Sequence, residues 1–183
     1  ASTNSVLHLL AVANEAGLKG KVSIDIMNDI SAKTPNLCRL APAGEHYIEE
    51  LNEAGGISAV MKELLDAGLL DGSAMTAGGI TLAEAVKDAK VYDSSIIRPV
   101  SDPWSKTGGL VILKGNLAPE GAVVKKSAVD PAMYRHSGPA KCFDSEEDAM
   151  RAISSGKIVK GDVVVIRYEG PKGGPGMREM LTP

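Results

Sequence analysis

Three groups of polar residues in this chain have types and spacings that could bind a ligand or a metal ion. The first is at the start, where Asn4 and His8 stand four residues apart and so share one face of a predicted helix. Ser2 or Thr3 would cap that helix, and helix N-termini favour anions, so these polar groups could line a site. The alternative is a capped helix with a solvated or interfacial polar face, because Ser, Thr and Asn are ordinary caps.

The second group lies in the Gly- and Pro-rich stretch from Gly170 to Glu179, which follows an apolar run at 163–166. Such composition excludes helix and central strand, and it predicts a loop that carries Arg178 and Glu179 to the end of a strand. The Glu179 carboxylate is the kind of oxygen ligand that Mg²⁺ takes, although an ion pair with Arg178 or a surface Lys is the alternative. The stretch lacks the phosphate-binding pattern G-x-x-x-x-G-K-[ST], which argues against a nucleotide site.

A third polar group is the turn that follows the apolar run 110–113. Lys114 and Asn116 could meet a carboxylate or a hydroxyl there. The alternative is a hairpin loop in which Asn and Gly only supply unusual backbone angles.

Composition excludes several classes of function. The 183 residues suit one or two domains, and a net charge of −3 with 3% aromatics shows no basic stripe for nucleic acid. No apolar run is long enough to span a membrane. Cys38 and Cys142 are far apart, which favours free thiols in a reducing compartment over a single disulfide, and the three histidines lack zinc-ligand spacing.

Periodicity divides the chain into a helical part and a β-rich part, with a boundary between residues 92 and 93. Helices are predicted near 3–17, 23–34, 45–54, 57–67 and 81–89, the last with a Thr81–Glu84 capping box. Short β-branched runs at 96–97, 110–113, 122–124, 140–143 and 163–168 predict strands, interrupted by one helix that Asp144 would cap. The fold class predicted is α+β.

Four stretches, in this order, resemble the dihydroxy-acid, phosphogluconate and sugar-acid dehydratase family over nearly the whole chain. They are ASTNSVLHLLAVANEAG, AGGISAVMKELLDAGLL, IIRPVSDPWSKTGGLVILKGNLAPEGAVVK and HSGPAKCFDSEEDAMRAISSGKIVKGDVVVIRYEGPKGGPGMREML. LKGNLAPEGAVVK and VIRYEGPKGGPGMREML look like the branched-chain dihydroxy-acid branch. The resemblance implies a hydro-lyase that converts a 2,3-dihydroxy carboxylate into a 2-keto acid in branched-chain amino-acid biosynthesis.

The family resemblance also implies a fold, cofactors and partners. Residues 1–92 would be the helical tail of an N-terminal cluster-binding α/β domain, and residues 93–183 the first, incomplete part of a β-rich swivelling barrel domain. An iron–sulfur cluster would take the leaving hydroxyl, and Mg²⁺ would bind the carboxylate end of the dihydroxy acid. We expect a homodimer or larger oligomer and a cytoplasmic location, or a mitochondrial or plastid one in a eukaryote.

Carried onto this sequence, the resemblance makes Glu179 a magnesium ligand and places Ser2, Thr3, Asn4 and His8 near the substrate. Cys38 and Cys142 match none of the family's cluster motifs, and the family's proton-abstracting Ser lies downstream of the matched stretches. The absent initiator Met and the unfinished terminal unit predict a segment of a larger enzyme. Such a segment alone is expected to be inactive, to bind no iron and to self-associate. The alternatives are a non-catalytic swivelling or binding domain, a phosphogluconate or sugar-acid dehydratase, and a phosphate-binding module.

Overall fold

The computed structural model describes residues 2–170 and residue 180. Its α-helices, in chain order, are α1 (Asn4–Glu15), α2 (Ile24–Lys33), α3 (Ile48–Glu53), α4 (Gly56–Asp66), α5 (Leu82–Val86) and α6 (Glu146–Ser154), and short 3-10 helices cover Lys126–Ala128 and Pro131–Met133. Its strands are β1 (Val111–Leu113), β2 (Ala122–Val124), β3 (Ala140–Phe143) and β4 (Val163–Ile166). The fold is therefore α+β, as predicted, and its sheets are small, with none closed in the described part of the chain.

The chain divides into two compact units, each with its own packing. Asp25–Ala128 form one unit, and the described residues before and after that range form the other. The unit Asp25–Ala128 holds residues from both sides of the predicted boundary at 92/93, since the hairpin of β1 and β2 shares it with helices α3 to α5. The boundary itself stays a prediction.

The core of the unit Asp25–Ala128 is made of aliphatic side chains from α3, α4 and the segment after α5. Its buried members are Leu51, Ala54, Ala59, Ile96 and Ile97. Gly55 joins α3 to α4 with φ at +126°, and a Cβ there would lie 2.2 Å from the Lys90 carbonyl oxygen. Glycine thus lets the helix junction approach the chain at Lys90, which closes the core.

Helix α2 binds the β1 strand through polar side chains at every third residue of the helix. The Asn28 amide oxygen accepts a hydrogen bond from the Ile112 amide at 3.1 Å, and the Ser31 hydroxyl donates to the Leu110 carbonyl. One turn earlier, Asp25 pairs with Lys114 at 2.6 Å. We call these contacts the α2–β1 seam; they satisfy polar groups that would otherwise lack partners.

The second unit contains a βαβ element. Strands β3 and β4 are parallel, with Cys142 opposite Val165 and Phe143 opposite Ile166. Helix α6 connects them and packs against both strands. Its buried residues include Ala149 and Ala152, three apart and so on one face, and their small size allows close packing.

Most predicted elements are present, with two corrections. Ser145, not Asp144, caps α6: its hydroxyl accepts from the Asp148 amide at 3.1 Å, while Asp144 pairs with Arg167. The strand predicted at 96–97 is wrong, because the Asp93 carboxylate holds a turn by accepting from the Ser95 amide at 2.8 Å. Ile97 is fully buried as a core residue in that turn rather than as part of a sheet.

Candidate functional site

The predicted polar group at the chain start lies at the beginning of α1. Thr3 is the N-cap residue, but its side chain makes no capping hydrogen bond. The Ser2 hydroxyl accepts from the Asn4 amide at 3.3 Å, and the Ser5 hydroxyl donates to the Ser2 carbonyl at 2.6 Å. These contacts show local turn chemistry at the helix start, and the substrate-binding role of Ser2, Thr3 and Asn4 stays a prediction.

His8 lies one turn into α1 and is exposed. The apolar side chains of this helix are only partly buried, since Val6 and Ala13 are buried while Leu9 is 53% exposed. Val12 is exposed as well. His8 therefore presents its imidazole to solvent in the described structure, and its role at a site also stays a prediction.

The polar turn after β1 is a hairpin turn, and its two candidate residues differ. The Lys114 ammonium pairs with the Asp25 carboxylate across the α2–β1 seam, so it does meet a carboxylate, but one of the chain itself. Asn116 is exposed, and the turn is closed by the Ala118 amide donating to the Gly115 carbonyl at 3.1 Å. The hairpin alternative accounts for this turn.

The residues after β4 are held firmly where the chain enters the Gly-rich stretch. The Arg167 amide donates to the Phe143 carbonyl at 2.8 Å, and its guanidinium Nε donates to the Asp144 carboxylate at 2.8 Å. This hydrogen bond and the charge of Asp144 raise the pKa of Arg167. Tyr168 has φ at +63°, a left-handed conformation that is rare for a non-glycine residue, and it turns the chain away from the strand direction.

Glu169 continues this anchor. Its Oε1 accepts a hydrogen bond from the Glu146 amide at 3.1 Å, in the first turn of α6, where a helix favours negative charge. Glu179, the predicted magnesium ligand, lies outside the described residues. The structure does define the segment 167–169, which ends ten residues before Glu179. Strand β3 holds this segment at Arg167, and helix α6 holds it at Glu169.

The described residues do not supply an iron–sulfur ligand set. Both cysteines are free: Cys142 is exposed on β3, and Cys38 packs against the core of the other unit. Burial raises the pKa of the Cys38 thiol from 9.0 to about 11, which disfavours the thiolate that binds iron. In residues 2–170, no group of three or more His, Cys, Asp or Glu side chains could hold a metal ion.

Two histidines have structural partners. The His46 imidazole lies 3.0 Å from the Glu50 carboxylate. This hydrogen bond, and a second one from the Tyr47 amide, lower the pKa of Glu50. His136 Nε2 lies 3.0 Å from the Gly161 carbonyl oxygen. Both contacts agree with a structural rather than a metal-binding role.

Sequence reasoning missed two cavities. One, of about 740 Å³, lies at the end of β3 and beside α6, where Asp144 pairs with Arg167 and Asp148 with Arg151. The other, of about 470 Å³, lies between residues 39–46 and Trp104. No local pattern could have revealed the second one, because Trp104 is far along the chain from the loop that forms the rest of its wall.

Comparison with known families accounts for almost the whole chain. Residues 1–85 match the family model described as dihydroxy-acid/6-phosphogluconate dehydratase N-terminal, and residues 95–183 match the corresponding C-terminal model. The chain belongs to the dihydroxy-acid/6-phosphogluconate dehydratase family. The family resemblance noted in the sequence is thereby confirmed.

Curated relatives within this family are similar over the full chain. A protein named dihydroxy-acid dehydratase from Caldanaerobacter subterraneus subsp. tengcongensis is 63% identical over 182 residues, which are 100% of this chain and 32% of the relative. Proteins of the same name from Caldicellulosiruptor saccharolyticus and Clostridium kluyveri are 61% and 62% identical, with 33% and 32% of their lengths covered. The chain thus spans about a third of the length of the curated relatives it matches.

None of the described helices is both long enough and apolar enough to span a membrane.

Proposed function

We propose that this chain is part of a hydro-lyase that dehydrates 2,3-dihydroxy carboxylic acids, of the 2,3-dihydroxy-isovalerate type, to 2-keto acids in branched-chain amino-acid biosynthesis. One observation carries the proposal: identity of 60–63% extends over 182 residues with relatives that are named dihydroxy-acid dehydratase. Identity at that level along the entire chain supports the same reaction in the whole protein. The activity belongs to a whole protein about three times as long as this chain.

The contribution we propose for this chain is one carboxylate and its support. Glu179 would supply one oxygen ligand to Mg²⁺, a cation that suits carboxylates and keeps positions open for substrate and water. Bound there, the cation would neutralise the carboxylate end of the substrate. The anchor of Arg167 and Glu169 supports this assignment, since a chain held on a strand and a helix N-terminus enters the following residues in a defined direction.

The iron–sulfur cluster proposed for the whole enzyme would take the leaving hydroxyl, but its ligands are not among the described residues of this chain. Cys38 and Cys142 do not fit that role. We therefore give no residue of this chain a role in the step that the cluster would catalyse. Ser2, Thr3, Asn4 and His8 are proposed as substrate-side groups at the start of α1.

The β-rich part is proposed to belong to a swivelling barrel domain that begins near residue 93. Parallel strands normally have both faces covered, yet all but one of the β3 residues are exposed. A larger sheet around β3 and β4 would cover them. The exposed apolar side chains of Leu117 and Val12 likewise support the proposal that the isolated chain self-associates, which light scattering would test.

The experiment that tests the proposed function is the Glu179→Gln substitution in the whole protein. We expect turnover of a 2,3-dihydroxy acid to fall by about 100-fold or more, because the amide loses the charge that binds Mg²⁺. The control is Glu53→Gln, which removes an exposed carboxylate at the end of α3 and should leave turnover unchanged. Undiminished turnover with Glu179→Gln would overturn the assignment.

A second candidate activity is favoured by the family description, which names 6-phosphogluconate beside dihydroxy acids. Parallel assays of the whole protein with 2,3-dihydroxy-isovalerate and 6-phosphogluconate separate the two. Faster turnover of the phosphorylated sugar acid would replace the branched-chain assignment while leaving the dehydratase class intact. The cytoplasm is proposed as the compartment, supported by bacterial relatives.

A further inference from the structure

The cavity beside the only tryptophan of the chain has the features of a small ligand site. Its volume is about 470 Å³, within the usual range for such sites. Its lining residues come from one loop and from the Trp104 side chain; they are Arg39, Pro42, Ala43, Gly44, Glu45, His46 and Trp104. We call it the Trp104 cavity. All of these residues belong to the unit Asp25–Ala128.

Backbone hydrogen bonds fix both walls of the Trp104 cavity. The Trp104 amide donates to the Asn36 carbonyl at 2.9 Å, and the Asn36 amide donates to the Ser105 carbonyl at 2.8 Å. The loop is closed where the Ala41 amide donates to the His46 carbonyl at 2.7 Å. A cavity with walls held in this way is largely formed before a ligand arrives, which lowers the entropic cost of binding.

The Trp104 cavity has a guanidinium without a carboxylate partner among the residues that the structure describes. Arg39 lies over the Trp104 ring at 5.2 Å from its centroid, and its Nη2 donates to the Ala43 carbonyl at 3.2 Å. A second guanidinium, that of Arg98, lies 3.8 Å from the same ring centroid and pairs only loosely with Asp102 at 3.7 Å. Arg39 lines the cavity and Arg98 is not among its lining residues, so the Arg39 guanidinium is the cation that an anion in the cavity would meet.

The remaining groups of the cavity define which anion fits. Glu45 is an acidic lining residue and would repel a dianion such as phosphate more than a single carboxylate. His46 is already bound to Glu50. Pro42, Ala43 and the indole ring give the wall an apolar surface that a hydrated inorganic ion would not use.

We propose that the Trp104 cavity binds a small monocarboxylate with a short apolar body, a function beyond the proposed dehydration. The Arg39 guanidinium pairs with the carboxylate, and the Trp104 ring contacts the apolar body. Arginine suits the first task because its planar donors match a carboxylate in a bidentate fork. The alkyl part of the ligand then gains by leaving water against the indole ring and Pro42.

The test uses Trp104 as its own probe, because the 183-residue chain has a single tryptophan. The chain is titrated with 3-methylbutanoate, and the indole N–H signal is followed by NMR alongside tryptophan fluorescence. We expect a saturable change with a dissociation constant in the millimolar range, on the order of 1–10 mM. The neutral alcohol 3-methylbutan-1-ol and inorganic phosphate, titrated separately, should bind at least about fivefold more weakly.

Variants assign the binding to named groups. Arg39→Gln should weaken 3-methylbutanoate binding by about fivefold or more, while Arg39→Lys should retain part of it. Glu45→Gln should tighten binding by about twofold, since it removes a like charge. Arg135→Gln, at an exposed arginine of the other unit, is the matched control and should bind like the parent chain.

Three results would overturn the proposal. They are the absence of a saturable change up to about 50 mM ligand, undiminished binding by Arg39→Gln, and tighter binding of phosphate or the alcohol than of the carboxylate. Circular dichroism of each variant separates loss of binding from loss of fold. None of these measurements depends on turnover, so they are independent of the test of the dehydratase function.

Discussion

Helices α2 and α6 both pack beside short strands, but they do so by opposite means. Helix α2 has no buried residue, and it contacts β1 through the side chains of Asp25, Asn28 and Ser31. Helix α6 buries Ala149 completely and places it on the face that packs against β3 and β4. The difference shows that a helix can be attached to a sheet by side-chain hydrogen bonds to the strand backbone or by close apolar packing.

The two modes carry different energetic risks. An apolar contact is sensitive to volume, because protein interiors are densely packed. A polar contact is sensitive to the loss of one partner, because the other is left without a hydrogen bond. The four experiments that follow test this contrast, and they are arranged from the largest to the smallest energy that we expect to measure.

The largest loss is expected for Ala149→Leu in α6. The larger side chain has no space at a position that is 0% exposed, so we expect about 2–3 kcal/mol of destabilisation, measured by urea unfolding of the chain. Ser154→Leu, at an exposed position of the same helix, is the control and should change stability by less than about 0.5 kcal/mol. Equal stabilities of the two variants would show that α6 does not depend on close packing.

The next loss is expected for Gly108→Ala, beside the α2–β1 seam. A Cβ at residue 108 would lie 2.5 Å from the Ser31 hydroxyl and 3.1 Å from its carbonyl oxygen. We expect a loss of about 1–2 kcal/mol, as one of these groups must move. Gly115→Ala is the control, since a Cβ there has no heavy atom within 4 Å. A Gly108 variant as stable as this control would mean that the seam adapts freely.

Asn28→Ala should cost about 1 kcal/mol or slightly more. It leaves the Ile112 amide without its acceptor in a position that is only 8% exposed. Hydrogen exchange of the Ile112 amide should accelerate along with the loss of stability. Asn28→Asp keeps an acceptor oxygen and should restore part of the protection. Unchanged exchange in Asn28→Ala would show that this hydrogen bond does not hold α2 to β1.

The smallest effect is expected at the Asp25–Lys114 pair. Both side chains are about half exposed, so solvent weakens their attraction. A double-mutant cycle with Asp25→Asn and Lys114→Gln should give a coupling energy below about 1 kcal/mol that falls further in high salt. A coupling energy as large as the loss of stability expected for Asn28→Ala would contradict this order.

Local signals allowed much of the secondary structure to be predicted. The capping box of Thr81 and Glu84 is present, and Gly68 and Gly156 follow the ends of α4 and α6 with positive φ. These features depend on residues within one helical turn of each other. The runs that form β3 and β4 and the helix between them are also visible in the sequence, whereas their parallel pairing was not predicted.

Contacts between distant residues were beyond such reasoning. Asn28 and Ile112 are 84 residues apart, and the Ile96–Ile97 run has a β-like composition that tertiary packing overrides. The same holds for the candidate sites. The start of α1 could be located from its cap residues, whereas the convergence of Arg39 and Arg98 on Trp104 depends on how two segments pair.

The position of α2 has one further consequence for the hairpin. Its side chains bind the carbonyl of Leu110, just before β1, and the amide of Ile112 within β1, on the side of the strand that β2 leaves open. Because these edge groups of the strand are already hydrogen-bonded, a foreign peptide cannot pair with them as an additional strand. Helix α2 therefore protects this strand edge from intermolecular β-pairing. Variants that weaken the α2–β1 seam should raise the tendency of the chain to form amyloid-like fibres.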